Sequence, residues 1–178
     1  SGMVKRAEEL ASQHEWFLAR QFQNPANPEY HANTTGPEIL RDLPDVTHFV
    51  AGLGTSGTLM GVGTYLKEHK PDIKILAVEP PSGESVQGLR SLDDGFIPPV
   101  FDKWDGMEIL DGKRIIRPIE SLEYTRILTK KSGIFCGISS GAALAGAIRT
   151  AETIETGEIV FVVCDGGWKY LSTGAWSG

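Results

Sequence analysis

His48-Phe49-Val50-Ala51-Gly52-Leu53-Gly54-Thr55-Ser56-Gly57-Thr58-Leu59-Met60 is the stretch from which the fold is read. Phe49 to Ala51 is a short apolar run, the pattern of a buried strand. A glycine-rich loop follows, and a helical pattern follows the loop. A strand feeding a glycine loop that opens a helix is an anion site. The first-turn N–H groups lack partners in the helix, and the macrodipole favours negative charge there. Gly54 and Gly57 permit a sharp turn and a close backbone approach to a ligand. Thr55, Ser56 and Thr58 add hydroxyl donors at the same place. The loop is expected to hold a phosphate.

Downstream, the helix is expected to reach about His69, with Lys67, His69 and Lys70 at its C-terminal end where the dipole suits cations. Pro71-Asp72 is a turn and Ile73 to Glu79 a strand. Strand, loop, helix, turn and strand make a βαβ unit, hence a parallel sheet with a right-handed crossover. Pro80 to Lys113 reads as irregular, rich in Gly, Pro and Asp; long ordered loops of this kind are usually functional. Pro118 to Ser132 is amphipathic. Gly133 to Ile138 is a short apolar piece, and Ser139-Ser140-Gly141 opens a helix of small residues to about Ala151. Ile159 to Cys164 reads as a buried strand ended by Asp165-Gly166-Gly167. Gly54, Glu79, Ser139 and Asp165 should therefore share one sheet edge, since ligands of open α/β sheets bind outside the carboxyl ends of the strands.

Upstream, Met3 to His14 is a helical pattern, and Trp16 to Ala19 reads as a short strand. Gln23 to Pro28 carries two prolines and two asparagines, which oppose regular structure. A helix from about Pro28 to Leu43 is expected, interrupted near Gly36-Pro37. The 178 residues, 40% hydrophobic and 22% charged, suit one good-sized domain or one domain plus part of another. A net charge of −6 argues against nucleic acid or an anionic membrane as the main partner. No apolar run is long enough to span a bilayer. Ser1-Gly2-Met3 shows no signal-peptide pattern, and a trimmed tag or an internal fragment would each explain the missing initiator. Cys136 and Cys164 are read as buried, reduced thiols, not a disulfide or zinc site. The four histidines lack metal-ligand spacing and read as surface or cap residues; no metal site is expected.

Gly52-x-Gly54-x-x-Gly57 also matches a dinucleotide fingerprint, and Glu79 stands near the ~20-residue spacing of a ribose-binding acid. Against an NAD-binding Rossmann unit count the hydroxyl-rich loop, the position of the unit well inside the chain, and Pro80-Pro81 directly after the acid.

Five linked motifs point elsewhere. They are Gln21 to Pro28, Thr34 to Ile39, Gly52 to Thr58, Gly133 to Gly141, and Tyr170-Leu171-Ser172-Thr173-Gly174. In this order they resemble the cysteine synthases, members of the fold type II (β-family) pyridoxal-phosphate enzymes. Cys164-Asp165 and Gly88-Leu89-Arg90 resemble the B branch of that family. The resemblance implies an α/β, three-layer, parallel-sheet fold. It implies that residues 1–20 end the smaller domain and that 21–178 form the larger, phosphate-binding domain, incomplete on its N-terminal side. Gly54, Thr55, Ser56, Gly57 and Thr58 would cradle the phosphate of pyridoxal 5′-phosphate, and Ser139 would hydrogen-bond the pyridine nitrogen. A neutral hydroxyl there leaves the ring a milder electron sink, suited to β-elimination and replacement. Gln21 would help hold the substrate carboxylate, and Arg90 would reach the leaving group or the sulfur donor. A guanidinium suits phosphate, hence O-phosphoserine as well as O-acetylserine.

The family's Schiff-base lysine lies in a Ser-x-Lys context, followed by a Thr-Ser-Gly-Asn-Thr-Gly loop. None of Lys5, Lys67, Lys70, Lys74, Lys103, Lys113, Lys130, Lys131 and Lys169 has that context. The chain is thus expected to be the C-terminal part of the enzyme, with no catalytic residue of its own and no activity alone. The implied reaction is β-replacement on small-molecule substrates: an activated serine loses its β-substituent and a sulfur nucleophile adds, giving L-cysteine. A cytoplasmic homodimer is implied. A non-catalytic fragment or pseudoenzyme is the remaining alternative.

Overall fold

The computed structural model describes residues 2–176. Four parallel strands form one sheet in the order β3-β2-β1-β4. They are β1 (Val46–Gly52), β2 (Lys74–Glu79), β3 (Gly112–Ile115) and β4 (Glu158–Phe161). The helices are α1 (Gly2–His14), α2 (Ala26–Asn33), α3 (Thr35–Asp42), α4 (Gly57–His69), α5 (Pro99–Lys103), α6 (Gly106–Ile109), α7 (Pro118–Ser132) and α8 (Ile138–Ala151).

The period-two alternation of the central strands makes this a three-layer α/β molecule. Phe49 and Ala51 of β1, with Ile75 and Ala77 of β2, face α4 and bury Leu59, Val62 and Leu66 beneath α3. Val50, Leu76 and Val78 face the opposite way, onto Ala142, Ala145 and Ala147 of α8. The expected three-layer parallel-sheet class is therefore the one observed. The strand order runs outward from β1 in both directions, so the chain reverses direction in the sheet between β1 and β4. Such a switch point leaves a crevice at the carboxyl ends of the two strands.

Several local expectations need correction. Trp16 to Ala19 is not a strand: it makes no strand pairing among the described residues, and Trp16 and Phe17 are exposed. Glu15 and Arg20 bracket it with φ of 54° and 50°, which turn the chain out of extended geometry. The expected helix over 28–43 is two helices, starting already at Ala26. The break falls at Thr34 (φ −129°, ψ −71°), not at Gly36-Pro37. Pro37 lies in the first turn of α3, where its missing N–H costs no helix bond. The stretch from Pro80 to Lys113 is not wholly irregular, for it contains α5, α6 and the start of β3. β4 is shorter than expected and half-buried, because it is the sheet's edge strand.

Candidate functional site

The loop after β1 meets α4 through Ser56, whose left-handed φ of 68° turns the chain into the helix. Met60 N–H bonds Ser56 O at 2.9 Å and Gly57 N–H bonds Thr55 Oγ1 at 3.3 Å. The Thr58 and Leu59 N–H groups between them belong to the first turn, which no helix carbonyl can satisfy. As part of a helix N-terminus they favour a negatively charged ligand. Gly57 lets the Asn27 amide sit against the loop: a Cβ would stand 2.0 Å from Asn27 Oδ1 and would displace that side chain. A Cβ on Gly54 would come within 2.5 Å of Gly88 O. The Ser56 side chain is turned inward, 2% exposed, its hydroxyl donating to Thr55 O. What Ser56 offers a ligand is therefore its backbone.

Two side chains of α2 back this loop. Asn27 Nδ2 donates to Gln21 O and to Thr55 Oγ1, both at 3.0 Å. His31 lies between Thr35 Oγ1 (2.9 Å from Nδ1) and Thr58 Oγ1 (3.1 Å from Nε2). Burial lowers the His31 pKa, so the ring is neutral at pH 7. Reading His31 as a surface or cap residue is incomplete: it is half-buried and bridges three helices. His48, also half-buried in β1, is held below the usual range by burial and by Arg114 and Lys74.

Ser139 stands in the first turn of α8 and is 6% exposed. It reaches the loop side through Gly88, where a Cβ would lie 3.8 Å from Ser139 Oγ. The start of α8 is fixed to the end of β4: Gly137 N–H bonds Asp165 O at 2.8 Å, and Cys164 N–H bonds Ser140 Oγ at 3.0 Å. Cys136 is buried as expected, but Cys164 is not. It lies beyond the end of the edge strand, exposed as a residue, with its thiol desolvated beside Ser139. Desolvation pushes the thiol pKa up and the Ser139 hydroxyl partly offsets this. Asp165 accepts from the Tyr170 hydroxyl at 2.8 Å; burial first, then Asp165, push the Tyr170 pKa up to about 12.

Arg90 and Gln21 line one groove of about 450 Å³ between α1 and the 18–23 turn. Arg90 N–H bonds Leu53 O at 2.8 Å, which ties it to the end of β1. Its guanidinium lies 4.9 Å from the Phe22 ring centroid and 5.0 Å from that of Phe96. Among the described residues no carboxylate pairs with it. Glu79, the acid a dinucleotide site would need, is fully buried and committed. Its Oε1 is 2.5 Å from Lys113 Nζ and its Oε2 accepts from Leu92 N–H at 2.7 Å. The NAD alternative thus loses its ribose partner. No group of three or more His, Cys, Asp or Glu that could hold a metal occurs among the described residues.

The elements therefore bring together Gly54, Thr55, Ser56, Gly57 and Thr58, with Ser139 reached through Gly88, and they bring Gln21 to Arg90 in a neighbouring groove. The donor set of the loop, neutral N–H and O–H groups at a helix N-terminus, is chemically suited to a phosphomonoester. Residues 1–165 match the family described as pyridoxal-phosphate dependent enzyme. The chain is 41% identical to a cysteine synthase of Staphylococcus aureus, covering 99% of this chain and 59% of that protein. It is 39% identical to cysteine synthase B of Escherichia coli K12, covering 94% of this chain and 54% of that protein. Crystal structures of O-ureido-L-serine synthase (TM-score 0.88, 38% identity) and of O-acetylserine sulfhydrylase isoform 3 from Entamoeba histolytica (TM-score 0.85, 34% identity) superpose on it. They cover 100% and 98% of this chain but 58% and 54% of their own.

Proposed function

The chain belongs to the pyridoxal-phosphate dependent enzyme family, and from that premise we propose that it forms the cofactor-phosphate half of a cysteine synthase. The cofactor, when bound, supplies an electron sink that lets an activated serine lose its β-substituent and accept a sulfur nucleophile, giving L-cysteine. The chain's own residues bind and orient. Thr55 and Thr58 hydroxyls and the first-turn N–H groups of α4 hold the phosphate, with Gly54, Ser56 and Gly57 shaping the backbone. Ser139 meets the ring nitrogen with a neutral hydroxyl. Gln21 takes the substrate carboxylate. Arg90, held between two aromatic rings without a carboxylate partner among the described residues, takes the anionic end of the leaving group or sulfur donor. That suits O-phosphoserine as well as O-acetylserine.

The observation that carries this reading is that Thr55 and Thr58 flank the N-terminus of α4, whose N-cap Ser56 makes no side-chain cap bond, on a glycine loop at the carboxyl end of β1. None of the nine lysines stands in a Ser-x-Lys context, so the general base and covalent anchor come from outside these residues, and the chain alone is inactive. Function in a cytoplasmic homodimer is part of the same proposal; no helix of the described residues is long and apolar enough to cross a membrane.

Titration of the purified chain with pyridoxal 5′-phosphate, followed by borohydride and intact mass, tests it. Reversible binding with no fixed adduct is expected. A fixed adduct on one of the nine lysines, with cysteine formed from an activated serine, would overturn the inactivity. Affinity for NAD(H) with none for pyridoxal 5′-phosphate would overturn the cofactor.

A further inference from the structure

Resting on the phosphate-cup reading above, we propose that Asn27 and His31 of α2 are positioning residues that fix the Thr55 and Thr58 hydroxyls as donors toward a bound phosphomonoester. The two stand four residues apart, hence on one face of the helix. That face packs on α4 and its loop.

The loop offers no cation. From Gly52 to Thr58 there is neither arginine nor lysine. Affinity for a phosphate therefore depends on how many neutral donors already point at it before binding, since donors fixed in advance need no reorganisation. A threonine hydroxyl carries one proton and two acceptor sites. At Thr55 both acceptor sites are filled, by Asn27 Nδ2 at 3.0 Å and by Gly57 N–H at 3.3 Å. Its proton is thereby left for a further acceptor, the part a bound phosphate would play. The Asn27 amide cannot turn over to accept instead, because Nδ2 also donates to Gln21 O at 3.0 Å.

Thr58 is set by a tautomer. The neutral His31 ring has one N–H and one bare nitrogen, each facing a threonine hydroxyl. With the proton on Nε2, His31 donates to Thr58, Thr35 donates to Nδ1, and the Thr58 proton is free for a ligand. With the proton on Nδ1 the chain reverses, and Thr58 spends its proton on His31. A phosphate dianion offers only acceptors, so it selects the Nε2–H form. Thr35, in the first turn of α3, is thereby the remote end of the relay.

The test uses the full 178-residue chain labelled with 15N at histidine, with inorganic phosphate and pyridoxal 5′-phosphate as ligands and pyridoxal as the control without phosphate. With phosphate bound, His31 Nε2 is expected to carry the proton. His31→Leu and Asn27→Ala should each weaken pyridoxal 5′-phosphate binding about tenfold, as removal of an oriented donor to a charged group implies. Pyridoxal binding should be unchanged. His31→Gln, which can donate to Thr58 while accepting from Thr35, should recover most of the loss. Unfolding midpoints separate this from simple destabilisation, because a merely structural role would lower both ligands together and would not be rescued by Gln. A proton on Nδ1 in the phosphate-bound chain, or wild-type affinity in His31→Leu, would overturn the inference and leave the phosphate cup standing. Absence of any phosphate or pyridoxal 5′-phosphate binding by the wild type would overturn both.

Discussion

Asp165 holds the Tyr170 hydroxyl at 2.8 Å, while its own carbonyl fixes Gly137 ahead of α8. This latch sets where Ser139 stands. The Tyr170 pKa is raised, so the protonated hydroxyl is the form the fold favours. The stabilisation is complete below the ordinary tyrosine value of 10.0 and is lost as pH climbs through about 12. Tyr170→Phe should remove the highest transition from an ultraviolet tyrosine titration and cost about 1 kcal/mol in denaturant unfolding at pH 7. Loss of a transition near the ordinary value of 10.0 instead would mean that Tyr170 is not held by Asp165. At the cup, Gly57→Ala should displace Asn27 from Thr55 and lower pyridoxal 5′-phosphate affinity about tenfold. Equilibrium binding by fluorescence reads this directly. The cup itself is legible in the sequence, because glycines and hydroxyl residues between a strand and a helix have a local physical meaning. Asn27 and His31 are not: their role comes from α2 packing on α4, and nothing in the surrounding stretch announces it. Cys164 misleads for the same reason, since an apolar run does not tell whether its strand lies at the centre or the edge of the sheet.

Helices with strong punctuation are legible at both ends. α7 starts at Pro118 and stops before Gly133, whose φ of 69° closes the helix, and it coincides with the amphipathic stretch of the sequence. β3 escapes a sequence reading because Gly112 to Ile115 has no apolar alternation; the strand exists by pairing with β2. α7 positions α8 through Ser121, whose hydroxyl donates to Ile138 O at 2.6 Å. The two helices touch at Gly141, where a Cβ would lie 2.2 Å from Ser121 O and 2.1 Å from Thr125 Oγ1. Backbone cannot yield as a side-chain tip can. Gly141→Val should therefore cost about 3 kcal/mol, read as a lower urea midpoint; an unchanged midpoint would mean that α7 and α8 can separate freely. Across the sheet, Glu79 joins β2 to the 80–96 loop through Leu92 and to β3 through Lys113. Glu79→Gln keeps an acceptor for Leu92 but leaves Lys113 without its buried partner. Hydrogen exchange in residues 80–96 should quicken while exchange in β1 stays slow. Equal acceleration in both would show that Glu79 supports the whole sheet and not the loop.

The whole molecule is unevenly built. β1 and β2 are buried on both faces, whereas β4 presents a half-buried edge, and Val163, Trp168 and Leu171 beyond it are exposed. The chain spans 54–59% of the length of the relatives it matches, and an open sheet edge with apolar neighbours is a surface that pairs readily with further chain. At the other end α1 contributes no buried residue at all. The segment joining it to the rest runs through exposed Trp16 and Phe17 and through two left-handed residues, Glu15 and Arg20. A helix with only partly buried residues such as Ala7, Leu10 and Ala11 gains little from its own domain, since helical stability in proteins comes from packing one face. We therefore propose that the phosphate-binding unit begins after residue 20, with α1 belonging to a neighbouring unit. Brief trypsin digestion should leave a resistant fragment beginning at Gln21, identified by mass. That fragment should keep the wild-type urea midpoint and its affinity for inorganic phosphate, because no hydrogen bond that sets Asn27, His31, Thr55 or Thr58 involves residues 1–20. Protection of Arg20 equal to that of α4, or a fragment that unfolds once α1 is removed, would show that α1 is part of the same cooperative unit.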